Sequence, residues 1–136
     1  VSTAIVLFAH GARDAQWALP FERIRRLLVA RCAGTPVELA YLDLMQPSLH
    51  DAVARLAAGG IERVTVVPLF LGQGGHLKQD LPLLLERVRA EHPGVSLRVT
   101  PPIGEIDALL TAIAQWIAAE HEAGVARGAG FDHPIA

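Results

Sequence analysis

Residues 63–80 read RVTVVPLFLGQGGHLKQD. The first eight, 63–70, are almost wholly apolar and rich in valine, which fits a strand buried on both faces. The next ten hold three glycines with a histidine, a lysine and an aspartate, the composition of a loop leaving a strand end and opening a helix. Asp80 is the expected N-cap of that helix, whose buried stripe is predicted to be Leu81, Leu84, Leu85 and Val88. Strand, glycine-rich loop and amphipathic helix make one βα unit.

Units of the same kind flank it. Towards the N-terminus, AIVLFA (4–9) is a second wholly apolar strand. A helix is expected from Ala15 to Ala33, with Trp17, Phe21, Ile24 and Leu28 on one stripe and Glu22, Arg23, Arg25 and Arg26 facing away. VELAYL (37–42) is a strand, and Pro47-Ser48 opens a helix carrying Leu49, Val53 and Leu56 that stops at Gly59-Gly60. Towards the C-terminus, His92-Pro93-Gly94 is a turn and VSLRVT (95–100) a strand. A last helix carries Ile106, Leu109, Leu110, Ile113 and Ile117. After Glu122 the periodicity is lost. The expected organisation is one domain over 1–122 and a flexible tail over 123–136.

The strand at 4–9 is apolar throughout and that at 63–70 nearly so, which suits the centre of a sheet, whereas 37–42 and 95–100 alternate and suit its edges. Right-handed crossovers then give a four-stranded parallel sheet of order 2-1-3-4 in a three-layer αβα, flavodoxin-related α/β fold. In such a sheet ligands bind beyond the carboxyl ends of the strands, where neighbouring connections leave in opposite directions. That point lies between the first and third strands, and the loops leaving them carry His10 and His76.

The bulk properties narrow the function. The chain has 136 residues, is 51% hydrophobic and 19% charged, and carries a net charge of −2, which disfavours disorder, nucleic-acid binding and an anionic membrane as partner. One cysteine, Cys32, cannot close an internal disulfide, so a cytoplasmic setting is expected. The run 4–9 is too short for a membrane span, and neither a signal peptide nor an anchor is expected.

Three loops concentrate reactive side chains: FAHGARD with His10 and Arg13, LDLMQPS with Asp43, and PLFLGQGGHLKQD with His76 and Lys78. Two imidazoles and a carboxylate suit a first-row divalent ion with open coordination positions. Gly72, Gly74 and Gly75 let backbone come close to a large flat ligand, and Arg13 and Lys78 suit carboxylates on it. Each residue also has a plainer reading. His10 and His76 can fill polar loops, Asp43 can cap the helix near Pro47, and Arg13 and Lys78 can be solvated charges. His50, His92, His121 and His133 are read as ordinary helix, turn and tail residues.

Other chemistries remain open on these residues. A phosphoryl-transfer enzyme of the histidine phosphatase type needs an arginine directly before its nucleophilic histidine, where this chain has Ala9. A flavodoxin-like module that binds a cofactor without catalysis, and a carrier that binds metal alone, use the same crevice.

Taken together, LFAHGARD, YLDLMQPSL and VVPLFLGQGGHLKQDLP resemble the sirohydrochlorin chelatases of CbiX type, over about Ile5 to Ile103. The resemblance implies a class II chelatase without ATP or an organic cofactor, inserting Co2+, or alternatively Fe2+ or Ni2+, into a tetrapyrrole. It places metal ligation and proton acceptance on His10 and His76 and an acidic metal contact on Asp43, where family members often carry Glu. Ala12 stands where the family's HGS variant has Ser. The length is similar to the short, homodimeric form. Insertion expels two pyrrole protons, and imidazole, with an ordinary pKa of about 6.5, is a suitable acceptor.

Overall fold

The computed structural model describes residues 2–128, 130 and 132. Strands β1 (Thr3–Ala9), β2 (Val37–Tyr41), β3 (Arg63–Pro68) and β4 (Ser96–Val99) form one parallel sheet in the order β2-β1-β3-β4. The order expected from the burial patterns is borne out. On one side of β1, Ile5 pairs with Val37 and Ala9 with Tyr41; on the other, Thr3 pairs with Arg63 and Phe8 with Pro68.

Four helices connect and follow the strands: α1 (Leu19–Arg31), α2 (Leu49–Ala58), α3 (Gly75–Glu91) and α4 (Asp107–Arg127). Successive strand residues point to opposite faces, so Ala4, Val6 and Phe8 join Val64 and Val66 under α2 and α3. Leu49, Ala52, Val53 and Leu56 of α2 and Leu77, Leu85 and Val88 of α3 complete this main core. Leu7, Val37 and Leu69 form a second cluster with Phe21 and Leu28 of α1. Two helical layers thus enclose the sheet. Among the described residues no helix is long and apolar enough to cross a membrane.

Several boundaries differ from the sequence expectation. The helix expected over 15–33 is divided into a 3-10 turn, Ala15–Ala18, and α1. Asp14 starts the turn by accepting the Gln16 amide at 2.9 Å, and Pro20, which has no N–H to bond backwards, fits the restart of the helix. Helix α3 begins at Gly75 with Gly74 as N-cap. Asp80 is therefore not the cap but an exposed residue inside the helix, with Pro82 inside it as well. The stripe of Leu81, Leu84, Leu85 and Val88 continues one turn back to buried Leu77, and that extra burial carries the helix through the proline.

Helix α4 continues past Glu122 to Arg127 and closes at Gly128, whose φ of 64° is left-handed. The boundary expected at 122 thus falls within a helix, and residues 129, 131 and 133–136 of the expected tail, His133 among them, lie outside the described residues. No residue of α4 is buried. Its principal contact is with a short 3-10 turn, Ile103–Glu105, just before it.

Candidate functional site

The site grows from the carboxyl ends of β1, β2 and β3. Beyond the last strand pair, the Leu42 amide donates to the Ala9 carbonyl at 2.8 Å and the Asp43 amide to the His10 carbonyl at 3.0 Å. The loops after β1 and β2 are therefore zipped together where His10 and Asp43 stand. Gly11 makes this approach possible: its φ is 89°, and a Cβ there would lie 1.9 Å from the Asp43 carbonyl oxygen. Leu44 adopts a left-handed φ of 66° at the tip of the second loop. There the Leu44 amide donates to Asp43 Oδ1 at 2.8 Å, which leaves Oδ2 for another partner. Asp43 does not cap α2. Ser48 does, its hydroxyl accepting the Asp51 amide at 3.1 Å.

The His10 side chain is exposed, but its ring leans on Phe70, with centroids 4.4 Å apart. Phe70 is 1% exposed and meets Phe8 of the core edge-on at 5.7 Å. Phe70 thus positions an imidazole at the mouth of the crevice. Sequence reading missed it, because an aromatic ending an apolar run is indistinguishable from any other strand residue.

The third loop is braced from the far side. The Phe70 carbonyl accepts the Gly104 amide at 3.0 Å, and Gly104 lies so close to Leu71 that a Cβ would fall 1.7 Å from the Leu71 carbonyl oxygen. His76 is exposed in the first turn of α3. Lys78, one turn after Gly74, lines a cleft of about 180 Å³ with Phe70, Gln73, Pro102 and Glu105. Arg13 is exposed in the bend after Gly11, away from that cleft's lining. At Gly72, Gly74 and Gly75 a Cβ would meet nothing within 4 Å, so packing within the chain does not call for glycine there.

The structure thus joins His10 to Asp43 through backbone and lines one cleft with both Phe70 and Lys78, with His76 in the first turn of the helix that follows the third loop. The ligand atoms of His10, Asp43 and His76 are not gathered within 4.8 Å; among the described residues the one such group of three is His50, Glu91 and His92. Beneath Gly11, Tyr41 is 5% exposed. Burial pushes its phenol above the ordinary value of 10.0, and the charge of Glu22 adds to the effect.

A family model, CbiX, matches residues 4–120 of the chain. The chain belongs to the CbiX family. Its fold is similar to that of a putative cobalamin (vitamin B12) biosynthesis CbiX protein from Marinobacter aquaeolei, with a TM-score of 0.78, 41% identity and coverage of 88% of this chain and 98% of that one. The sirohydrochlorin cobaltochelatase of Sulfurisphaera tokodaii is 32% identical over 100 residues, 74% of this chain and 78% of that protein. The chloroplastic sirohydrochlorin ferrochelatase of Arabidopsis thaliana is 31% identical over 109 residues, 80% of this chain but 48% of its own length. This CbiX-family chain therefore spans about half the length of the chloroplastic relative.

Proposed function

We propose that this chain inserts a divalent metal ion into sirohydrochlorin or a related tetrapyrrole. The observation that carries the reading is the pairing of His10 and Asp43 on two zipped loops, the imidazole resting on Phe70, at the edge where the His76 loop also leaves the sheet. The names of the relatives from Sulfurisphaera tokodaii and Arabidopsis thaliana support the same chemistry.

In this reading His10 and His76 hold the incoming ion, and as its bonds to the macrocycle nitrogens replace those to the imidazoles, each ring nitrogen so freed accepts one of the two departing pyrrole protons. The reaction changes no oxidation state and transfers no phosphate, so it calls for neither an organic cofactor nor ATP. Asp43 contributes its remaining carboxylate oxygen as a third ligand, or orients an imidazole. The open spacing of these groups suits an ion that must be released: a fully preformed cage would retain it. Arg13 and Lys78 meet carboxylates on the macrocycle rim, and the side-chain-free backbone at Gly72, Gly74 and Gly75 leaves room for its flat face. Co2+ is the proposed substrate, and Fe2+ and Ni2+ use the same nitrogen and oxygen donors.

A single domain offers one wall to a broad macrocycle. We place the second wall on another copy of the chain, a homodimer, supported by the uncovered apolar residues of α4. The single cysteine suits the cytoplasm.

His10→Ala and His76→Ala are each expected to slow cobalt insertion by about 100-fold or more, with far-ultraviolet circular dichroism unchanged. The measurement is the absorbance change of sirohydrochlorin on metallation. Near wild-type rates in both variants would overturn the site, and cobalt binding without metallation by the native chain would make it a carrier.

A further inference from the structure

A second group of ligand-type side chains lies away from the crevice, where the first turn of α2 meets the C-terminal end of α3. His50 Nδ1 and Glu91 Oε2 are 2.6 Å apart, and the His50 and His92 rings lie 5.1 Å apart at an interplanar angle of 35°. One ligand atom from each of His50, Glu91 and His92 falls within 4.8 Å of the others. The Nε2 atom of His92 is buried and has no hydrogen-bond partner, an arrangement that costs stability unless something fills it. The side chains of His50 and Glu91 are 43% and 55% exposed, so the group is reached directly from solvent.

We propose that His50, Glu91 and His92 form a second divalent-metal site, taking a borderline first-row ion such as Zn2+ or Co2+. Two imidazoles and one carboxylate are a donor set such ions accept, with the remaining positions open to water. Around a tetrahedral ion the donors sit roughly 3.3 Å apart, so small rotations of the exposed His50 and Glu91 complete the site. Binding replaces the direct His50–Glu91 contact with contacts from both side chains to the ion. Glu62 lines the cleft beside His92 and adds negative charge; Arg87 lines the shallow cavity beside His50 and opposes it. His92 is the residue closing α3, and His50 follows the Ser48 cap of α2. An ion there clamps two helices of one layer whose ligands are about 40 positions apart in sequence.

The test removes the crevice histidines first, so that it does not depend on chelatase activity. The His10→Ala/His76→Ala protein, titrated calorimetrically with Zn2+ and followed by Co2+ absorbance, is expected to bind one ion per chain and to gain thermal stability with added Zn2+. Adding Glu91→Gln is expected to weaken binding by about 10–100-fold; adding His50→Ala is expected to abolish both the binding and the thermal shift. No uptake by the double variant, or uptake unchanged by Glu91→Gln and His50→Ala, overturns the proposal. In the otherwise native chain His50→Ala is expected to leave insertion unchanged, and loss of insertion there would overturn the separation of the two sites.

Discussion

Gly11 is where backbone and chemistry meet. A side chain there faces a positive φ and a carbonyl oxygen of the neighbouring loop, which, being backbone, has little room to yield. The strained conformation alone costs about 1–3 kcal/mol, and the clash adds to it. Gly11→Ala is expected to destabilise the fold by about 3 kcal/mol or more and to break the hydrogen bond between His10 and Asp43. Urea unfolding reads the first effect, and loss of insertion by the remaining folded protein reads the second. At this scale the placement of candidate residues was legible where they follow a strand end directly. His10 and Asp43 stand one and two residues beyond β1 and β2, so the fold alone located them. Phe70 was not legible, because only the three-dimensional stack shows that its ring meets His10 as well as Phe8 of the core. His50 and His92 were passed over for a related reason: each is ordinary in its own helix or turn, and contact between α2 and α3 makes them a group.

Among the elements, α3 departs most from expectation. Asp80-Leu81-Pro82 has the pattern of a helix start, an acidic cap with proline in the first turn, yet the helix begins at Gly75. Local capping preference was outweighed by the burial of Leu77, a tertiary effect that the glycine-rich run concealed. Pro82 consequently occupies an interior position, where it leaves the Lys78 carbonyl without its usual helical donor. Pro82→Ala is expected to raise stability by about 1–3 kcal/mol, seen as a higher thermal midpoint with unchanged secondary structure. The early start also matters for the site: the backbone under His76 is fixed by helical hydrogen bonds and not by a loose loop. The division of the first helix at Pro20 has the opposite lesson, since proline acted there as its missing N–H requires.

For the whole molecule, strand order was legible from the apolar composition of β1 and β3, although in the fold only β1 is covered on both faces, while central β3 alternates in burial and edge strand β2 does not. The environment of α4 was not legible. An apolar stripe looks the same in sequence whether it meets its own sheet or another copy's surface. Ile113 is 46% exposed, Trp116 67% and Ile117 54%, more apolar surface than an isolated helix face comfortably leaves in water. Sedimentation is expected to show a dimer for the native chain. Ile113→Glu combined with Trp116→Glu is expected to yield a folded monomer, at a cost to association of about 2 kcal/mol or more for each anchor. A native chain that sediments as a monomer at micromolar concentration would remove the dimer from the proposal. The parallel sheet has one further consequence. Because β1 and β3 are hydrogen-bonded neighbours, the His10 and His76 loops depart from points about 4.8 Å apart. Inter-strand bonding works as a ruler for that gap. Sequence drift in the helical layers can tilt or slide them over the sheet while the origins of both loops keep their separation.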